Sequence, residues 1–131
     1  MHCRLECVPD DNGLIGEITI GDNVSINDRV HIASASSVSI GSGCLIASNV
    51  YISDHDHTIP ETVDDLPAST GLFVKRVTIG RNCWIGQNVN ILKGVTLGEG
   101  CIVGSGAVVT SSFPDRTVIA GVPARAIRSL K

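Results

Sequence analysis

Aliphatic residues return along this chain every six positions. Ile79, Ile85, Ile91, Leu97, Val103 and Val109 keep the interval without a miss. Two places before each stands Val77, Cys83, Val89, Val95, Cys101 or Ala107. Earlier in the chain Ile20, Ile26 and Ile32 keep the same interval, two residues are inserted, and Ile40, Ile46 and Ile52 resume it. Period six does not match the 3.6 of an amphipathic helix. On a strand, a residue and the one two before it face the same way, so each pair points inward together. A short strand plus a tight turn uses six residues, and three such units close a triangular coil of eighteen. Stacked at the ordinary strand spacing, the coils bury a column that no single repeat could bury alone. Gly follows many of the aliphatic anchors (Gly80, Gly86, Gly98, Gly104), which predicts a bend with unusual φ at that place.

Composition agrees. Hydrophobic residues are 43% but aromatics only 3%: Tyr51, Phe73, Trp84 and Phe113. A column with one aliphatic and one smaller residue per repeat has no room for rings, so all four aromatics are expected outside it. Trp84 precedes the anchor Ile85 and so points outward. The five cysteines include no Cys-x-x-Cys pair, which supports neither a disulfide framework nor a zinc ribbon. Cys44, Cys83 and Cys101 fall on inward positions and are expected in the core. Cys3 and Cys7 lie outside the pattern. At 131 residues the chain is expected to be one domain, 1–131. A net charge of −3 argues against a nucleic-acid surface. No apolar run approaches the ~20 residues of a membrane helix, and no signal peptide is visible, so a cytoplasmic location is expected.

These repeats, over about 14–56 and 77–112, resemble those of the hexapeptide-repeat acyltransferases, and the ending Ile119-Ala120-Gly121-Val122-Pro123-Ala124-Arg125 is similar to that family's tail. Within it, the galactoside, maltose and bacterial polysaccharide O-acetyltransferases are most similar. The resemblance implies an all-β fold, a left-handed parallel β-helix, assembled as a homotrimer and using acetyl-CoA as co-substrate, with no metal. A short helix over 123–131 is expected after Pro123, which suits a first helical position. Many relatives carry an N-terminal helical segment that shapes the acceptor pocket, whereas this chain enters the repeats almost at once.

The period breaks between Ile52 and Val77, and the excursion, about 53–76, opens Ser53-Asp54-His55-Asp56-His57. A loop this long in a compact domain is usually functional or disordered. Histidine exchanges protons near neutral pH. In the acetyltransferases this chain resembles, the ninth residue of a segment beginning Asn-Val is the general base, and from Asn49-Val50 the ninth is His57. His55 is the competing candidate, with Asp56 beside it in the acceptor site, and either Asp54 or Asp56 could orient an imidazole. Thirty residues before the base those enzymes carry an acceptor-positioning asparagine, here Asn27.

Counting faces from Ile20, Asn27 lies at the corner after the second face and His57 leaves the corner after the third. These corners are on the order of 15 Å apart within one prism, so the two are expected to meet between subunits. By the same resemblance Trp84 lines the acceptor and pantetheine cleft, Ser105 and Thr110 line the pantetheine channel, and Arg125 and Arg128 meet the CoA phosphates. Gln87 and Ser111 replace the Ser and Lys common in the sugar acetyltransferases. The expected activity is O-acetylation of a sugar or polysaccharide precursor, as in lipopolysaccharide or capsule assembly. The rival readings are N-acetylation of an amino sugar, a zinc hydratase of the γ-carbonic-anhydrase kind using His31, His55 and His57, and a non-catalytic scaffold.

Overall fold

A computed structural model describes residues 2–131. The chain winds through three faces in turn. β1 (Arg4–Cys7) lies on the third face. The next coil is β2 (Glu17–Ile20), β3 (Ser25–Ile26) and β4 (His31–Ser34), followed by β5 (Ser37–Ile40), β6 (Leu45–Ile46) and β7 (Tyr51–Ser53). An antiparallel hairpin of β8 (His55–His57) and β9 (Leu72–Val74) then leaves the prism. Winding resumes with β10 (Val77–Ile79), β11 (Trp84–Ile85) and β12 (Asn90–Ile91), then β13 (Thr96–Leu97), β14 (Ile102–Val103) and β15 (Val108–Val109). β16 (Thr117–Gly121) and β17 (Ala124–Ser129) close the chain. The first face is β2, β5, β10 and β13. The second is β3, β6, β11, β14, β16 and β17, and the third is β1, β4, β7, β12 and β15. Apart from the β8–β9 and β16–β17 hairpins the named strands pair in parallel, consistent with the left-handed β-helix that the resemblance implies.

The six-residue anchors stack in register. Ile20, Ile40, Ile79 and Leu97 align on the first face, Ile26, Ile46, Ile85, Val103 and Ile119 on the second, and Ile32, Ile52, Ile91 and Val109 on the third. All but Ile20 and Ile26, at the open N-terminal end, are buried. Each fully buried aliphatic side chain contributes about 1.5–3 kcal/mol. Cys44, Cys83 and Cys101 form a ladder inside, each thiol donating to a carbonyl farther along the column (Gly80, Gly98 and Pro114) at 3.1 Å. The adjacent Cys44 and then burial push the Cys83 thiol up, as fits inert packing.

Three expectations are corrected. The glycines after the anchors do not take positive φ. That conformation falls two residues later, at Asn23, Gly43, Asn82 and Gly100 on one edge and Arg29, Asn49, Asn88 and Gly106 on the next. The anchor glycines are needed for close approach instead: a Cβ on Gly80 would stand 2.7 Å from the backbone of Gly98, and one on Gly86 2.8 Å from Ser105 N.

Residues 123–131 do not form a helix. Ala124–Ser129 pairs antiparallel with β16, because a strand there satisfies the open edge of the second face, whereas a helix of eight residues is marginal in water. Finally, Phe113 is not outside the column. It pairs with Leu97 one coil on and packs against the core at its C-terminal end, where no further coil narrows the space. Tyr51, Phe73 and Trp84 do face outward.

Candidate active site

The prism has three edges, and they divide the expected site residues between them. Asn27 follows β3 on the edge between the second and third faces, and its N–H donates to Ile46 O at 2.9 Å. Ser105 lies on this edge too, two coils beyond Ser48, and is exposed. The excursion carrying His55 and His57 leaves the edge between the third and first faces, and exposed Thr110 stands on that same edge. No contact joins Asn27 to His57. Trp84 stands between the two corners of the second face, half exposed, with Leu45 on one side and Ile102 on the other. Val118 and Arg128 continue that outward row, so an apolar strip ends in a guanidinium. Arg125 is exposed on the same terminal strand.

The excursion is gripped at its root. Asp54 is fully buried. Its Oδ1 accepts from Ala35 N at 2.8 Å, and its Oδ2 accepts from Ser36 N and Ser37 N at 2.8 Å; Ser34 Oγ stands 3.2 Å from Oδ2 and donates to Glu17 O at 2.8 Å. These donors come from the place where two residues are inserted into the repeat, one coil below. The insertion therefore forms a cup of N–H groups for an anion. Burial pushes the Asp54 carboxyl up, but the bonds from Ala35, His55, Ser36 and Ser37 outweigh it and hold the group below the usual aspartate value. The carbonyl of Asp54 also accepts from Lys75 N at 2.8 Å, which closes the neck of the excursion. Farther out, Thr58 and Thr70 exchange side-chain bonds to each other's carbonyls at 2.7 and 2.8 Å. Asp11, from the loop between β1 and β2, accepts from Leu72 N at 3.2 Å.

Alternation along β8 separates its three side chains. His55 and His57 share one side and Asp56 takes the other. His55 Nδ1 lies 2.8 Å from Asp54 Oδ1, and its side chain is 16% exposed. Asp56 pairs with Lys93 at 2.7 Å, and the same ammonium stands 5.3 Å from the centre of the Phe73 ring. His57 is exposed and lines a cavity of about 510 Å³ with Asp56, Thr58, Ile59, Phe73 and Lys93. Of the two aspartates proposed to orient an imidazole, Asp54 holds His55 and Asp56 is engaged by Lys93. His31 stands apart on the third face, 2.7 Å from Glu6, its ring tilted at 51° to that of Tyr51 with centroids 5.1 Å apart. Among the described residues no group of three or more His, Cys, Asp or Glu side chains is placed to hold a metal ion. No helix among them is long and apolar enough to cross a membrane.

The repeats match two family descriptions: residues 76–111 the bacterial transferase hexapeptide (six repeats), and residues 17–54 the hexapeptide repeat of succinyl-transferase. The chain belongs to the hexapeptide-repeat acetyltransferase family. Among its relatives in that family is the putative lipopolysaccharide biosynthesis O-acetyl transferase WbbJ of Escherichia coli K12, 45% identical over 119 residues, which cover 86% of this chain and 61% of the relative. The galactoside O-acetyltransferase of the same organism is 38% identical over 113 residues, covering 86% of this chain and 54% of that enzyme. A hexapeptide-repeat acetyltransferase from Vibrio cholerae, solved in complex with acetyl-CoA, superposes with a TM-score of 0.77 at 33% identity, covering 87% of this chain and 61% of that one. The chain thus spans somewhat more than half the length of these hexapeptide-repeat relatives.

Proposed function

We propose that this chain transfers an acetyl group from acetyl-CoA to a hydroxyl of a sugar or polysaccharide precursor, with His57 as general base. The observation that carries the proposal is the excursion itself. It displays an exposed histidine in a cavity beside an aromatic ring and a lysine–aspartate pair, on an otherwise regular column. His57 takes the proton of the acceptor hydroxyl as its oxygen attacks the thioester carbonyl. It returns that proton to the departing thiolate, and a backbone N–H stabilises the charge that develops on the carbonyl oxygen.

The strip of Leu45, Trp84, Ile102 and Val118 ending at Arg128 fits an apolar pantetheine arm followed by phosphate. Ser105 at the edge of this face and Arg125 on its terminal strand extend the donor path, and Thr110, on the edge that carries His57, joins it from the neighbouring copy. Because Asn27 and His57 stand on different edges, the complete site forms between subunits of a homotrimer, with Asn27 from one copy and His57 from the next.

The test is acetyl transfer to methyl galactoside and methyl glucoside. His57→Ala removes it while CoA binding, followed by calorimetry, and trimer assembly persist. Retained turnover in His57→Ala overturns the assignment.

A further inference from the structure

The mechanism above leaves one buried ionised group without a task. Asp54 is a carboxylate with four donors around it, three backbone N–H groups and the His55 ring, while the nearby Ser34 hydroxyl gives its one proton to Glu17 O at 2.8 Å. A carboxylate accepts only, so His55 Nδ1 must carry a proton toward it. Ser53 Oγ stands 3.4 Å from the same nitrogen, but that hydroxyl already donates to His55 O at 3.0 Å. In the neutral ring Nε2 is then an unprotonated acceptor. By strand alternation His55 and His57 leave β8 on the same side, two residues apart, with His57 at the rim of the cavity and His55 nearer the root of the excursion.

We propose that Asp54 is a positioning residue that fixes His55 in the Nδ1–H form, so that its Nε2 accepts a hydrogen bond from a hydroxyl neighbouring the one acetylated. The ligand class is a saccharide carrying adjacent hydroxyls, one directed to His57 and one to His55. The inference rests on the reading of His57 as base for its kinetic consequence, but its structural half stands alone.

Asparagine at position 54 is a sharp probe because of how the donors divide. Oδ1 serves Ala35 N and His55 Nδ1, and Oδ2 serves Ser36 N and Ser37 N. An amide NH2 directed at the second set would face two backbone donors, Ser36 N and Ser37 N. Directed at the first set it faces only Ala35 N, provided that the His55 proton moves to Nε2. Asp54→Asn is therefore expected to reverse the His55 tautomer.

The experiment uses the full chain labelled with 15N, in which long-range proton–nitrogen correlations at pH 8 report the tautomer, and His55→Gln assigns the signal. The expected result is Nδ1–H in the native protein and Nε2–H in Asp54→Asn. With methyl galactoside or methyl glucoside as acceptor, both Asp54→Asn and His55→Gln should raise KM about tenfold with kcat changed less than threefold, as for loss of one hydrogen bond. A native His55 in the Nε2–H form overturns the proposal even if Asp54→Asn does not fold. So does an acceptor KM unchanged in His55→Gln. Failure of His57 as base is read separately, from His57→Ala turnover with the His55 tautomer intact.

Discussion

Two edges of the prism are built by different rules. Between the second and third faces every turn is alike: Arg29, Asn49, Asn88 and Gly106 each take positive φ at the same step. Between the third and first faces the turns differ from coil to coil. A loop lies between β1 and β2, two residues are inserted after Ile32, and the long excursion begins after Ser53. These irregular pieces hold one another: Asp11 caps Leu72, and the inserted residues enclose Asp54. The uniform edge keeps the coils at their spacing. The irregular edge spends that regularity on displaying side chains that a strand stack alone would not present.

Substitutions should separate the two edges. The largest effect is expected from His57→Ala on the irregular edge, a loss of roughly 10²–10⁴ in kcat with the melting temperature unchanged, measured by steady-state kinetics and calorimetry. On the uniform edge Gly86→Val should do the reverse. Its side chain would enter the space of Ser105 N and Val103 O, both 2.8 Å from the Cβ position, and denaturant unfolding should report a loss of about 3 kcal/mol.

Asp54→Asn should cost about 1–3 kcal/mol, because the new amide leaves buried donors without acceptors. The pH dependence has a definite sign. The native carboxyl is held below its unfolded value of about 3.9, so its contribution is complete above about pH 4 and is lost as pH falls through the lower native value. The part of the difference between native protein and Asp54→Asn that comes from this carboxyl should be lost as pH falls below about 4. Smallest is a four-residue Gly/Ser insertion after Val63, at the exposed tip of the excursion. It should lower stability by under about 1 kcal/mol, since loop closure depends only weakly on length.

The column was legible in the sequence because burial has one period throughout. Within each of the three runs, Ile20 to Ile32, Ile40 to Ile52 and Ile79 to Val109, every anchor stands where the interval of six places it. The glycine reading failed because two different steric demands, positive φ and close approach of coils, select the same residue type, and only the stacked backbone distinguishes them. The C-terminal strand was hidden because helix-friendly composition at 124–131 says nothing about the open sheet edge beside it. In the site, His55 and His57 were legible as titratable residues in a broken repeat, and the corner count separated Asn27 from His57. The clasp on Asp54 was not seen, although its donors Ala35, Ser36 and Ser37 lie seventeen to nineteen residues before it, which is one coil below. Lys93 and Phe73 gave no signal, because their meeting depends on where the hairpin folds back.

The central claim is that the two edges each carry part of one site, so that a working centre needs two copies. The direct measurement mixes Asn27→Ala and His57→Ala chains, unfolded together and reassembled at equal amounts. Each variant alone should be nearly inactive. The mixture should recover activity corresponding to about a quarter of the sites, those with both residues native by random assortment in a closed ring. A mixture no more active than the two variants apart would contradict the shared site.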